Sequence, residues 1–190
     1  MKTRLLSPVL AAALALSAGA ASAADYAVDT THSFVTFKVS HLGVSYVLGG
    51  FDVTSGTITF DPEGTPADQK VTVEVDLTSL DSNHAERDKH LRSSDFLNTD
   101  VNSSASFTST SFEGDATGGV LKGDLTFFGT TKPIEVSVTK VGEGKDPWGG
   151  YRAGFEGTAK LTPADFGMNY NLGPAAATVD LNIVLEGVQQ

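Results

Sequence analysis

From Phe34 onward the chain alternates apolar and polar residues with a period of two, and the pattern returns in one segment after another. Period two places successive side chains on opposite faces, so these segments are committed to strands with one buried face. The clearest case is Val71, Val73, Val75 and Leu77 set between Thr72, Glu74 and Asp76. Earlier, Val35, Phe37, Val39 and His41 share one face. A long segment from Ser45 to Phe60 carries Val47, Phe51, Val53, Ile58 and Phe60, and is interrupted by Gly49, Gly50 and Gly56, which inside a strand mark bulges or bends. Further segments surround Phe107, run from Leu121 through Leu125 to Phe127, and follow Pro133 with Ile134, Val136 and Val138. The last two place Tyr151, Ala153, Phe155, Ala159 and Leu161 on one face, then Val179, Leu181, Ile183 and Leu185. The total is about eight strands, several joined by short glycine turns such as Gly118-Gly119 and Phe128-Gly129-Thr130, so sequence neighbours are expected to pair antiparallel. About eight strands in meander order either close into a barrel or stack as a sandwich, and periodicity does not separate the two.

One segment breaks the pattern. Asn83-His84-Ala85-Glu86 predicts a helix start with Asn83 as N-cap and Glu86 as its capping-box partner, and Glu86 with His90, and Asp88 with Arg92, are spaced as favourable i,i+4 pairs. Such a helix between two strands is placed to lid one end of a barrel, with Phe96 as the expected anchor.

The N-terminus has a different character. Lys2 and Arg4 precede a largely apolar stretch from Leu5 to Leu16, and the small-residue run Ser17 to Ala23 follows. This is the pattern of a cleavable secretory signal, with Ala21-Ser22-Ala23 as the cleavage site after Ala23. The expected division is residues 1–23 as signal peptide and 24–190 as one domain, exported to the periplasm of a two-membrane bacterium. The apolar stretch is shorter than the roughly 20 residues a spanning helix needs, and with no cysteine in the chain a lipid-acylated anchor is not expected. The formal net charge is −10, and removal of the basic leader makes the remainder more acidic still, which argues against nucleic acid and anionic membrane surfaces as partners.

Motifs for chemistry are sparse. There is no cysteine nucleophile, no G-x-S-x-G elbow, no phosphate-cradling glycine loop and no H-E-x-x-H or C-x-x-C framework. The residues therefore point away from an enzyme and predict no catalytic residue, metal or cofactor. Two rivals keep their place: a metal-assisted hydrolase using His32, His41, His84 and His90, and a stress-related scaffold whose barrel is filled solid. Barrels of about eight strands are just wide enough either to fill themselves with side chains or to hold one small ligand.

The chain resembles the YceI family of bacterial periplasmic proteins. The resemblance rests on Asp29-Thr30-Thr31-His32-Ser33-Phe34, on Val39-Ser40-His41-Leu42-Gly43, and on the long run from Asn83 to Phe96. It continues through Gly123-Asp124-Leu125-Thr126, Gly129-Thr130-Thr131-Lys132-Pro133 and the run from Asp146 to Phe155. What the resemblance implies is a lipocalin-like antiparallel barrel with an internal tunnel for a polyisoprenoid or other long-chain amphiphilic lipid, without an established reaction. It also implies that self-association occurs among family members, while nothing in these strands decides between monomer and homodimer. Combining alternation with motif position, an isoprenoid or quinone-like tail is expected along Phe37, Val39, Phe51, Leu125, Phe127, Phe155 and Phe166, with its head near His84, Arg87, His90 and Trp148.

Overall fold

The computed structural model describes residues 23–190; but for Ala23, the expected leader lies outside them. Nine strands appear: β1 (Ala24–Val28), β2 (Phe34–His41), β3 (Ser45–Phe60), β4 (Lys70–Asp81), β5 (Ser104–Asp115), β6 (Gly118–Phe127), β7 (Thr130–Lys145), β8 (Tyr151–Leu161) and β9 (Val179–Gln189). Among the described residues one α-helix, α1 (Ala85–Arg92), sits between β4 and β5.

Each strand from β2 to β9 pairs antiparallel with the next, and β9 returns to β2, with Val39 opposite Val179 and Phe34 opposite Val184. The sheet is therefore a closed antiparallel eight-strand barrel, which leaves no free edge. The ninth strand was not expected. β1 continues the lane that β2 leaves short, pairing Ala24 with Phe60 of β3 and Tyr26 with Gln189 of β9. It buries only Tyr26 and Val28, too few turns of alternation to stand out.

The glycines of β3 have the expected effect, since its register with β4 shifts between Gly50 and Asp52 and again between Val53 and Ser55. Gly49 also makes room for a ring: a Cβ there would lie 2.4 Å from Cζ of Phe37. On β6, Gly123 plays the same part beneath Phe107, at 2.4 Å.

Inward side chains form two clusters. At the helix end, Phe37, Leu77, Leu80, Leu97, Phe127, Leu161 and Phe166 are buried together. At the opposite end, Tyr26, Val28, Ile58, Phe60, Val73, Ala153 and Leu185 make the second cluster.

The helix is held differently from the expectation. Its N-cap is His84, whose Nδ1 accepts from the Arg87 N–H at 3.2 Å, because Asn83 is used one residue earlier in a left-handed turn at φ 64°. The helix side chains spend their hydrogen bonds outside the helix, while Asp88 and Arg92 still attract each other across it. Asp88 is buried and accepts from both the N–H and the hydroxyl of Ser82, while Arg87 donates to the Ser82 hydroxyl at 2.7 Å and carbonyl at 2.6 Å. Arg92 donates to the Leu80 carbonyl at 2.6 Å, and His90 pairs with Asp95 at 3.1 Å instead of with Glu86. Burial pushes the Asp88 carboxyl up, but the Ser82 donors and the Arg92 charge outweigh it and hold the group below its ordinary value. The anchor inside the barrel is Leu97; Phe96 is buried too, but against Tyr170, ring centroids 4.3 Å apart. Among the described residues no helix is long and apolar enough to cross a membrane.

Candidate lipid-binding site

The second cluster does not fill its end of the barrel. An apolar cavity of about 150 Å³ is walled by Val35, Val73, Phe107, Leu121, Val136, Phe155 and Ile183, which belong to every strand lane but that of β3, and Ile58 and Phe60 supply that one. Several of these, including Phe107, Phe155 and Ile183, point inward yet are only half-buried, and none of the large described side chains is less than 2 % exposed. A close-packed interior would bury its large inward side chains outright. The cavity reaches the rim formed by Lys70 at the start of β4 and by Asp115, Ala116 and Gly118 in the β5–β6 turn, so it opens away from α1.

That direction rearranges the residues expected from the sequence. Leu125 and Phe155 line the cavity. Phe37, Phe127 and Phe166 lie in the helix-end cluster, and Val39 and Phe51 pack against it, so these five close the bottom of the cavity rather than wall it. Alternation reports which face a residue is on; it carries no information on depth along the barrel axis. His84, Arg87 and His90 stand on α1 behind this plug, with Arg87 committed to Ser82 and His90 stacked edge-on against Phe96 at 5.0 Å. Trp148 is at the other end of the molecule, in the β7–β8 turn, exposed and 5.7 Å from the Arg152 guanidinium. The four do not form one head-group site.

Two residues at the cavity rim were missed. Lys140 and Glu143 of β7 lie opposite Phe155 and Ala153 of β8, whose side chains point inward; Lys140 lines the cavity, and Glu143 stands beside it at the exposed mouth. They pair at 2.7 Å, and the Lys140 ammonium is 4.7 Å from the centroid of the Phe60 ring. The signal was present: Lys140 falls in phase with Ile134, Val136 and Val138.

The histidines do not gather. His32 sits in the β1–β2 link with Asp29 at 3.0 Å, whereas His41 ends β2 at the helix end. The one described group with metal-ligand spacing is Asp29, His32 and Glu186. The guanidinium of Arg152 already occupies its cation position, donating to Asp29 at 2.6 Å and to Glu186 at 2.5 Å, and to Asp146 at 3.0 Å. Hydrogen bonds from Thr31, then Arg152 and His32, hold the Asp29 carboxyl far below its ordinary value. This cluster is the structural knot joining the β1–β2 link, the β7–β8 turn, β8 and β9.

The chain was compared with known proteins. The family model described as a YceI-like domain matches residues 26–187. A UPF0312 protein of Shewanella baltica is 52% identical over 193 residues, covering 100% of both chains. Another, from Shewanella sp. strain ANA-3, is 50% identical with the same coverage. Among solved structures, the YceI protein of Campylobacter jejuni superposes with a TM-score of 0.70 at 28% identity, over 80% of this chain and 91% of that one. BcnA of Burkholderia cenocepacia, at 20% identity over 84% of this chain and 98% of its own, shares the fold with a TM-score of 0.71. A Saccharophagus degradans structure described as a polyisoprenoid binding domain matches at 0.64, 20% identity, over 89% of this chain and 100% of that one. With its barrel, its short helix and a match spanning nearly all the described residues, the chain belongs to the YceI-like domain family.

Proposed function

We propose that this protein is an exported carrier that holds the tail of a long-chain isoprenoid lipid inside its barrel and catalyses no reaction. The observation that carries the reading is the apolar, one-ended cavity between Phe107, Val136, Phe155 and Ile183. A site of this kind draws its affinity from apolar surface removed from water, about 0.8 kcal/mol for each methylene. In its present state the cavity matches in size one that takes a single benzene-sized group. A longer tail extends it by turning aside half-buried inward side chains such as Phe112, Val138 and Leu181. The fold relative described as a polyisoprenoid binding domain supports this ligand class, and the YceI-like domain is a binding-domain fold, which fits a carrier better than an enzyme. Cleavage after Ala23 would leave β1 as the first element of the mature chain in the periplasm.

The test is native mass spectrometry with organic extraction on protein purified from the periplasm of a bacterial host. A co-purified species with isoprenoid mass spacing is the expected result. An apo mass that persists after addition of prenols and prenylated quinones overturns the reading.

A further inference from the structure

The rim of the cavity carries an arrangement that the tail alone does not need. Along β7 the inward side chains run Ile134, Val136, Val138 and then Lys140; in strict alternation the next would be Gly142. Instead the register with β8 shifts between Lys140 and Gly142, leaving Val141 exposed and bringing Glu143 opposite the buried Ala153. A bulge re-aims side chains in this way. Here it places a lysine and a glutamate three residues apart on the same interior face, above an otherwise apolar wall.

Both side chains are largely covered, 15% exposed for Lys140 and 25% for Glu143. Covering the Lys140 charge at an apolar wall is costly unless it serves a partner or a ligand. An ammonium has three donors. One goes to Glu143, and the cation rests on the Phe60 ring, which supplies no acceptor oxygen. Of the other polar side chains of the rim, Gln69 is committed to Asp61 and Thr65 and Asp115 to Thr117, while Lys70 is exposed and out of phase with the inward Val71 and Val73. Lys140 is the donor aimed at whatever sits at the top of the cavity.

The pair also sets the charge it accepts. Glu143 neutralises Lys140, and its carboxylate stands beside any incoming head group. A ketone or alcohol oxygen takes a hydrogen bond from Lys140 without disturbing that balance. A phosphate brings up to two negative charges against Glu143, and the other rim cation, Lys70, is exposed on the outward phase of β4.

We infer that Lys140, positioned by Glu143, is the head-group donor of this lipid site, and that it selects isoprenoids ending in an uncharged oxygen acceptor over phosphorylated ones. The inference rests on the lipid-carrier reading and deepens it. Four ligands separate its parts in the mature protein: a prenol, a prenylated benzoquinone and a prenyl monophosphate with tails of equal length, and squalene, which has no head. Affinities are read by native mass spectrometry and by competition with a fluorescent prenol. The prenol or the quinone is expected to bind about tenfold tighter than the monophosphate, and the difference between those two distinguishes alcohol from ketone. Lys140→Met, which keeps the apolar stem, is expected to lose about five- to tenfold toward the preferred neutral ligand while leaving squalene unchanged. Glu143→Gln is expected to narrow the gap to the monophosphate. Should Lys140→Met not fold, the wild-type ranking of the four ligands still decides. Monophosphate binding as tight as the neutral ligands, or an equal loss of squalene and quinone in Lys140→Met, overturns the inference alone. Failure of squalene and every other ligand to bind overturns the carrier reading with it.

Discussion

Arg152 on β8 and Asp29 in the β1–β2 link, 123 residues apart, are joined by a hydrogen-bonded ion pair of 2.6 Å. The contact ties the junction of β1 and β2 within their shared lane to β8 on the opposite side of β9, and the same guanidinium takes Glu186 and Asp146. Arg152→Lys keeps the charge but not the fork that reaches three carboxylates. Its thermal midpoint is expected to fall, and that of Arg152→Met to fall further, measured by circular dichroism at neutral pH.

The same pair predicts an acid limb. Asp29 has its folded pKa depressed below the ordinary value of 3.8, first by Thr31 and then by Arg152 and His32. A depressed carboxyl stabilises the fold fully above its unfolded pKa, and that stabilisation is lost as pH falls through the interval below it. Stability should therefore decline as pH drops below about 4, and Asp29→Asn should be less stable at pH 7 with a flatter acid limb. Denaturant titrations of both proteins between pH 7 and pH 3 check this; parallel acid limbs would remove Asp29 from the account.

The plug and the wall should respond differently to truncation. Phe127→Ala in the helix-end cluster is expected to cost about 3–5 kcal/mol of stability, as for a large buried aromatic. Phe155→Ala at the half-buried wall should cost less and enlarge the cavity. Urea unfolding paired with a lipid-uptake assay tests the contrast: uptake should persist in Phe155→Ala.

Filling the cavity should separate binding from folding. Val138→Trp adds a ring at a half-buried inward position, with an overpacking cost of about 1–3 kcal/mol. Loss of isoprenoid uptake with a retained cooperative unfolding transition is the expected outcome, and undiminished uptake would place the tail elsewhere.

Ser82 is the joint between helix and barrel, bonding Asp88 and Arg87 at once. Ser82→Ala leaves a buried carboxylate short of a donor, a loss of about 1–3 kcal/mol. Amide exchange in α1 should quicken more than in β4.

Much of this molecule could be read from its alternation. The inward faces of the strands, the bulging of the long glycine-bearing β3 and the helix from Ala85 were all legible, because each is a local consequence of side-chain spacing. What escaped was non-local. Closure into a barrel came from the family resemblance, since pairing of β9 with β2 leaves no mark on either strand. Trp148 and His84 are separated by the length of the barrel, a distance that neither motif encodes. Glu143 stayed hidden because a bulge after Lys140 shifts it out of phase, whereas Lys140 lies in phase with Ile134, Val136 and Val138.

The split lane has a consequence for how the chain is made. β9 is the partner that both β1 and β2 require, and it is the last of the described strands in chain order. Until it is in place the sheet has two open edges, at β8 on one side and at β2 with β1 on the other. Such edges recruit strands from neighbouring molecules. Loss of β9 therefore leaves a ribbon with two unpaired edges in place of a slightly shorter barrel.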